Sequence, residues 1–278
     1  MHVPSDGLPA GVKTGRIPKK PISMPTLVIQ LTLLGLGAIT LYSLYVLDTG
    51  DVGLDEGLRT MLANFRLMFT EAHFKHFTWS EALYAVGVTI GLALLTTVIG
   101  AALALLLGLL AARNLTNGTV SYLIKSSVAF IRAVPTVLWV LIFAVSAGLG
   151  SVAAVLGMAF HSVGYLIKAY SESFEEMDEG VIEALRGSGA SWWQIVFQAV
   201  LPSSMSYLVS WTFVRFEINF AAAIAMGAAA GAGGIGFDMF MAGNYYLDLR
   251  EVGTITYFIL AFAIGLEMFA TRWKARIN

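Results

Sequence analysis

The stretch Glu183–Pro202, EALRGSGASWWQIVFQAVLP, is polar and broken by glycine, and it lies between long runs of membrane-grade hydrophobicity. Just before it, Asp178 and Glu179 precede a run, Gly180 to Arg186, that suits a short helix with carboxylates at its positive end. Gly187 and Gly189 are placed to end that helix in left-handed geometry, where glycine carries no Cβ penalty. Ser191, with Gln194 three places on, predicts a capping box and the start of a second helix. Trp192, Trp193, Ile195, Val196, Ala199 and Val200 give that helix an apolar surface, and Pro202 is expected to end it. Residues 178–202 therefore read as a rigid elbow between two spans.

The rest of the chain explains why such an elbow stands out. Of 278 residues, 57% are hydrophobic and 13% charged, and the mean hydropathy is +0.75, which excludes an ordinary soluble domain. A hydrocarbon core about 30 Å thick takes about 20 helical residues to cross, so the chain reads as an all-α membrane protein of about six transmembrane helices. Spans are expected at about 25–47, 84–112, 128–147, 151–170, 203–226 and 252–271, with SAGLGS, Ser146 to Ser151, separating the third from the fourth. Residues 1–23, carrying Lys13, Arg16, Lys19 and Lys20 among Pro, Gly and Ser, read as a disordered basic tail ahead of a membrane domain over 24–278. Cysteine is absent, which removes disulfides and thiolate chemistry.

Lys and Arg counted by loop set the orientation. With the N-terminus inside, inner segments hold Lys13, Arg16, Lys19, Lys20, Arg113, Lys125, Lys168, Arg186, Arg272, Lys274 and Arg276, and outer segments hold Arg59, Arg66, Lys75 and Arg250. This excess predicts both termini and the elbow on the cytoplasmic side. The outer loop 48–83 carries Leu58, Met61, Leu62, Phe65 and Phe69 at helical spacing, which predicts an interfacial helix. His73 and His76 follow it, but the sequence places no carboxylate or third imidazole to complete a metal site, and none is expected.

Charges inside spans point to a transport path, because a bilayer centre penalises them. Arg215 and Asn219, four residues apart, share a face of the fifth span, while Glu217 points elsewhere. Either both groups are satisfied in helix–helix contacts within the fold, or Arg215 faces a watery vestibule that adds positive potential for an anion while Glu217 holds a neighbouring helix. Arg132, Pro135 and Thr136 mark a kink entering the third span, and His161 and Glu267 are weaker candidates. GAGGIG, Gly231 to Gly236, matches a dinucleotide fingerprint by letter, but no strand precedes it. Gly231, Gly233, Gly234 and Gly236 read instead either as a flexible turn or, the favoured reading, as a close-packed re-entrant loop forming an outer gate, where glycine lets backbones approach across a two-fold axis. No G-x-x-x-x-G-K-[ST] occurs, so the chain has no phosphate cradle for ATP.

Glu183-Ala184, then Gly189, then Leu201-Pro202 resemble the EAA signature of permease subunits of ABC importers, with Leu185 and Ala199 departing from it conservatively. ARNL (Ala112 to Leu115), RAVPTVLWVLIF (Arg132 to Phe143), IEALRGSGAS and GAGGIG are similar to phosphonate-type permeases, over roughly residues 65–275. The resemblance implies a type I ABC importer permease fold in a bacterial inner membrane. It implies that Glu183, Ala184, Arg186, Gly189, Leu201 and Pro202 form the dock for an ATPase. It further implies a homodimer, two cytoplasmic ATPase subunits that bind ATP and Mg, and an extracytoplasmic binding protein. This chain itself would hold no cofactor and no metal, catalyse nothing, and contact lipid but no nucleic acid. The implied cargo is phosphonate or a related small phosphorus oxyanion, phosphate or phosphite. Competing readings are a permease for amino acids, quaternary amines or vitamin precursors, and a gradient-driven secondary transporter.

Overall fold

The computed structural model describes residues 23–46 and 53–277. Residues 1–22 of the expected tail lie outside the described residues, as do the side chains of Lys274 and Arg276. Helix α1, Met24–Val46, is about 35 Å long and exposed along its whole length. Helix α2, Leu54–Thr70, opens on Asp55 and Glu56 and carries the stripe of Leu58, Met61, Leu62, Phe65 and Phe69 on its exposed face.

Helix α3, Trp79–Ala111, starts five residues before the expected span because Thr78 and Glu81 form a reciprocal capping box there. The third span departs most from expectation. In place of one helix over 128–147, α4 (Gly118–Ala133) and α5 (Thr136–Ala147) meet at 90°. Pro135 caps α5 and has no N–H to continue α4, so the ladder breaks. The indole of Trp139 donates to the Ile131 carbonyl at 3.0 Å across the break, satisfying an oxygen the missing helical turn leaves open. Among the described residues, five helices are long and apolar enough to cross a bilayer, and the α4–α5 pair makes six when taken as one broken span.

Helix α6, Ser151–Glu175, is the hub, packed against α3, α4, α5 and the fifth-span helix. Its small residues permit this: a Cβ on Gly157 would overlap Val140 of α5, and one on Gly164 would lie 2.9 Å from Ile131 of α4. From the opposite side, a Cβ on Gly100 of α3 would lie 2.7 Å from that of Ser162.

Helix α7, Glu179–Gly187, is capped by the Asp178 side chain, and Gly189, at φ +86°, supplies the left-handed step. Gly187 stays right-handed, contrary to expectation. Ser191 and Gln194 form the predicted capping box of α8, Trp192–Ile195. Pro202 does not end this helix. A π turn over Val196–Val200 carries the chain without interruption into α9, Leu201–Ala230. The Leu201 amide bonds back five residues to Val196, and the widened turn accommodates the proline ring that would otherwise strike the carbonyl four residues back. The second elbow helix is thus the end of the fifth span, rigidly joined to it.

After Gly231, Gly233 and Gly234, all left-handed, α10 (Ile235–Phe240) and a second π turn (Met241–Tyr245) lead into α11, Leu249–Ile277. Helix α10 folds back on α9 so tightly that a Cβ on Gly236 would overlap the Ile224 carbonyl. Gly236→Ala is therefore expected to destabilise the fold by about 3 kcal/mol, the upper end of overpacking costs, read as a lower Tm in detergent. An unchanged Tm would show the hairpin to be loose.

Candidate functional site

Helix α9 runs about 45 Å from the elbow to the glycine loop, so these two features sit at opposite ends of the bundle. At the elbow end, Ile182, Ile195 and Val196 are buried in one core with Leu109, Leu115, Leu166, Tyr170 and Phe174 from the ends of α3 and α6 and the turn between α3 and α4. Two polar ties add direction. Arg186 donates to the Asn114 carbonyl at 2.8 Å, and the Trp192 indole donates to the Leu115 carbonyl at 3.0 Å. Leu201 packs against this core, whereas Glu183, Ala184, Gly189 and Pro202 stay exposed on the elbow. The elbow is therefore anchored below and open above.

Midway along α9 lies a second feature. Arg215, 1% exposed, donates from Nε to the Ser162 hydroxyl at 2.9 Å and from Nη2 to His161 Nδ1 at 3.1 Å. Since guanidinium only donates, His161 accepts at Nδ1 and carries its proton at Nε2. Asn219, fully buried, donates to Ser162 at 3.0 Å and to Thr97 of α3 at 2.9 Å. The Ser162 hydroxyl in turn donates to the Met158 carbonyl at 2.7 Å. The guanidinium also lies 5.2 Å from the centre of the Tyr165 ring, and Arg132 lies 6.0 Å from the same ring.

No carboxylate stands at ion-pair distance from Arg215 among the described residues. A buried cation held by hydroxyl, imidazole and aromatic face keeps its positive potential uncancelled by a counter-charge. Of the two readings of Arg215, the vestibule is the one that fails: the guanidinium is enclosed in helix–helix contacts, and the half-exposed groups beside it are His161 and Tyr165, with Arg132 exposed beyond. Asn219 shares the cage as the spacing predicted. Glu217 lies apart from it, lining a largely apolar cavity of about 480 Å³ between α3, α9 and α11. Pro135 and Thr136 lie at the α4–α5 break.

Sequence reasoning gave His161 little weight and passed over Ser162, Tyr165 and Thr97. A signal existed in α6, where His161, Tyr165, Lys168, Glu172 and Glu175 recur at helical spacing through an apolar segment.

At the far end, Thr89 of α3 accepts from the Ile235 amide at 3.0 Å, and Ser151 donates to the Ala232 carbonyl at 2.8 Å. Of the four glycines, Gly234 and Gly236 approach other elements closely, α3 and α9 respectively, while a Cβ on Gly231 or Gly233 would meet nothing within 4 Å. Between the fifth and sixth spans, burial first and the Glu81 carboxylate second raise Asp238 to about 6. An acid raised in this way holds its proton more tightly in the fold, so it contributes stability that is present below the ordinary aspartate range and lost as pH rises through about 6. Asp238→Asn is expected to raise Tm at pH 7.5 by an amount worth about 1 kcal/mol, after allowance for partial exposure, and to leave it unchanged at pH 4. Equal effects at both pH values would refute that linkage.

The outer loop also corrects an expectation. Glu251 and Asp248 do come beside His76, with ligand atoms within 4.8 Å of one another. Both oxygens of Glu251 and one of Asp248 are already engaged in hydrogen bonds. Glu251, fully buried, accepts from the amides of Lys75, His76 and Phe77 and pairs with His76 Nδ1 at 2.9 Å. Asp248 caps the start of α11 through the amides of Arg250 and Glu251. The cluster pins the loop to the sixth span.

An elbow docked under a long span, a bent third span and a glycine hairpin together describe an architecture seen elsewhere. The structure of the inward-facing MetNI methionine ABC transporter superposes with a TM-score of 0.66 at 19% identity, covering 74% of this chain and 100% of that one. Residues 104–277, more than half of the chain, match the family of binding-protein-dependent transport system inner membrane components. The chain belongs to that family. This permease is 34% identical to the phosphate-import permease protein PhnE of Mycolicibacterium smegmatis over 63% of its own length and 33% of the relative's. It is 33% identical to the phosphite transport system permease protein PtxC of Stutzerimonas stutzeri over 66% of each. The permease therefore spans a third of the first relative and just under two thirds of the second.

Proposed function

We propose that this permease is the transmembrane subunit of an ATP-driven importer for a small phosphorus oxyanion: phosphonate, phosphate or phosphite. The observation that carries the anion is Arg215, a guanidinium buried midway along the bundle in an uncharged cage, with no carboxylate against it among the described residues. Positive potential in a low-dielectric setting favours an anionic transit state more strongly than the same charge in water would. The names of the similar permeases, one for phosphate and one for phosphite, support the same chemistry.

Energy enters at the elbow. Its exposed face, with Glu183, Ala184 and Gly189, is the dock for one of two cytoplasmic ATPase subunits, which bind ATP and Mg. Two copies of the permease form the pathway, and an extracytoplasmic binding protein delivers the cargo to the glycine-loop end. Both termini lie on the cytoplasmic side of a bacterial inner membrane.

Reconstitution tests this reading. Proteoliposomes holding the permease, its ATPase and its binding protein are expected to accumulate ³³P-phosphate or methylphosphonate only with internal or added ATP on the ATPase side. Uptake driven by an ion gradient without ATP, or ATP-driven uptake of a cationic or zwitterionic solute unaffected by phosphorus oxyanions, would overturn it.

A further inference from the structure

Helix α6 carries one polar stripe through the bundle. His161, Tyr165, Lys168, Glu172 and Glu175 follow one another at steps of four, three, four and three, which keeps them on one face. The stripe starts beside Arg215, passes Arg132 at the Tyr165 ring, and ends in a cavity of about 330 Å³ at the elbow end. Arg113, Lys125, Arg132 and Lys168 line this cavity together with Glu172 and Glu175.

The two carboxylates are already engaged. Glu175 Oε1 accepts from Lys125 Nζ at 2.6 Å and from the Arg113 amide at 2.7 Å, and Glu172 pairs with Lys168 at 3.0 Å. The guanidinium groups of Arg113 and Arg132 have no carboxylate at ion-pair distance among the described residues. Four cations against two carboxylates leave a surplus of two positive charges, and it resides on the side chain best suited to grip tetrahedral oxyanions through paired N–H donors.

We propose that this cavity binds a tetrahedral phosphorus oxyanion as the last station before release, gripped by Arg113 and Arg132 with Lys125 and Lys168 at its edge. Its place on the path rests on the importer reading above. The site is also wired to the elbow. Arg113 sits in the turn between α3 and α4, and the same turn accepts hydrogen bonds from Arg186 and Trp192 of the elbow while Asn114 donates to the Phe174 carbonyl of α6 at 2.8 Å. A shift of the elbow against α6 therefore moves Arg113 relative to Arg132, and the grip changes with the state of the ATPases. A ligand and a conformational change coupled in this way bias one another.

The test uses the assembled importer, without binding protein, in nanodiscs of phosphatidylcholine, with ³³P-phosphate as the probe in equilibrium binding. Saturable, salt-sensitive binding is expected. The double variant Arg113→Gln/Arg132→Gln is expected to weaken it at least about tenfold, Arg132→Lys less, and Arg250→Gln at the opposite end not at all. Arg186→Met, outside the cavity, is expected to alter the affinity as well. A size-exclusion profile and Tm matching the parent show that the variants are folded, and Arg132→Gln alone serves if the double variant is not. Binding unchanged in folded variants overturns the proposal even where uptake is ATP-driven, whereas a site that binds phosphate in an importer that carries something else overturns the function and leaves the site. A second arm uses nanodiscs containing phosphatidylglycerol. If the lipid is retained in native mass spectra, depends on Arg113 and Arg132, and phosphate does not displace it, the cavity is a headgroup site and the proposal falls.

Discussion

Gly189→Trp is expected to reduce ATP-driven uptake at least about 100-fold while the protein still inserts and keeps its helical content. Gly189 stands at φ +86°, a conformation that costs an L-residue about 1–2 kcal/mol. A Cβ there meets nothing within 4 Å, and Gly189 is exposed on the elbow, so the side chain starts out towards solvent and away from the core beneath. What changes is the exposed dock, where an indole is thrust at the ATPase surface. Disrupting a central contact in an interface commonly costs about 2–4 kcal/mol, and about 3 kcal/mol is about two decades, whereas the backbone strain is borne by docked and undocked protein alike. Glu183→Lys, exposed on the same short helix, is expected to fail in the same way through charge reversal. The measurements are uptake in proteoliposomes, capture of the ATPase by the tagged permease, and membrane yield. Full uptake by both variants would remove the elbow from energy coupling.

The second large effect is expected at Arg215. Arg215→Gln keeps a donor for Ser162 and removes the charge, so folding should survive while transport of the anion does not. A unit charge about 8 Å from the anion is worth about 2 kcal/mol at an effective dielectric of about 20, and its loss in the transit state lowers uptake about 30-fold. Arg215→Lys retains charge but cannot reach Ser162 and His161 at once with one planar fork, and is expected to fall between parent and Gln. Uptake assayed at saturating binding protein separates this from a delivery defect. Parent rates in Arg215→Gln, with normal Tm, would show that the cage is architecture and nothing more.

Particular residues show where reading the chain succeeded and where it stopped. Ser191 with Gln194 and Asp178 before α7 are local signals, because a cap needs only a few neighbouring residues. The break at SAGLGS is equally local, with Gly148 and Gly150 at positive φ. Pro202 misled for the same reason in reverse. A proline rule sees the missing N–H, and it does not see the π turn upstream that makes room for the ring. Pro135 announced a kink, but the 90° angle depends on α5 lying against Gly157 of α6. His76 looked unaccompanied because its partners, Asp248 and Glu251, lie more than 170 residues away along the chain.

By itself the sequence determined the membrane class, the helical caps, the elbow and the EAA resemblance, since hydropathy and capping act over one to twenty neighbouring residues. Tertiary structure alone decided which polar groups meet. It enclosed Arg215 among Ser162, His161 and Tyr165, joined the elbow to Asn114 and Leu115, and gathered Arg113, Lys125, Arg132 and Lys168 around one cavity. These partners lie on different helices, and a periodicity shows which face a residue occupies without showing which helix that face will meet. The close packing of small residues on α6 made that choice, because helix axes approach wherever side chains are absent.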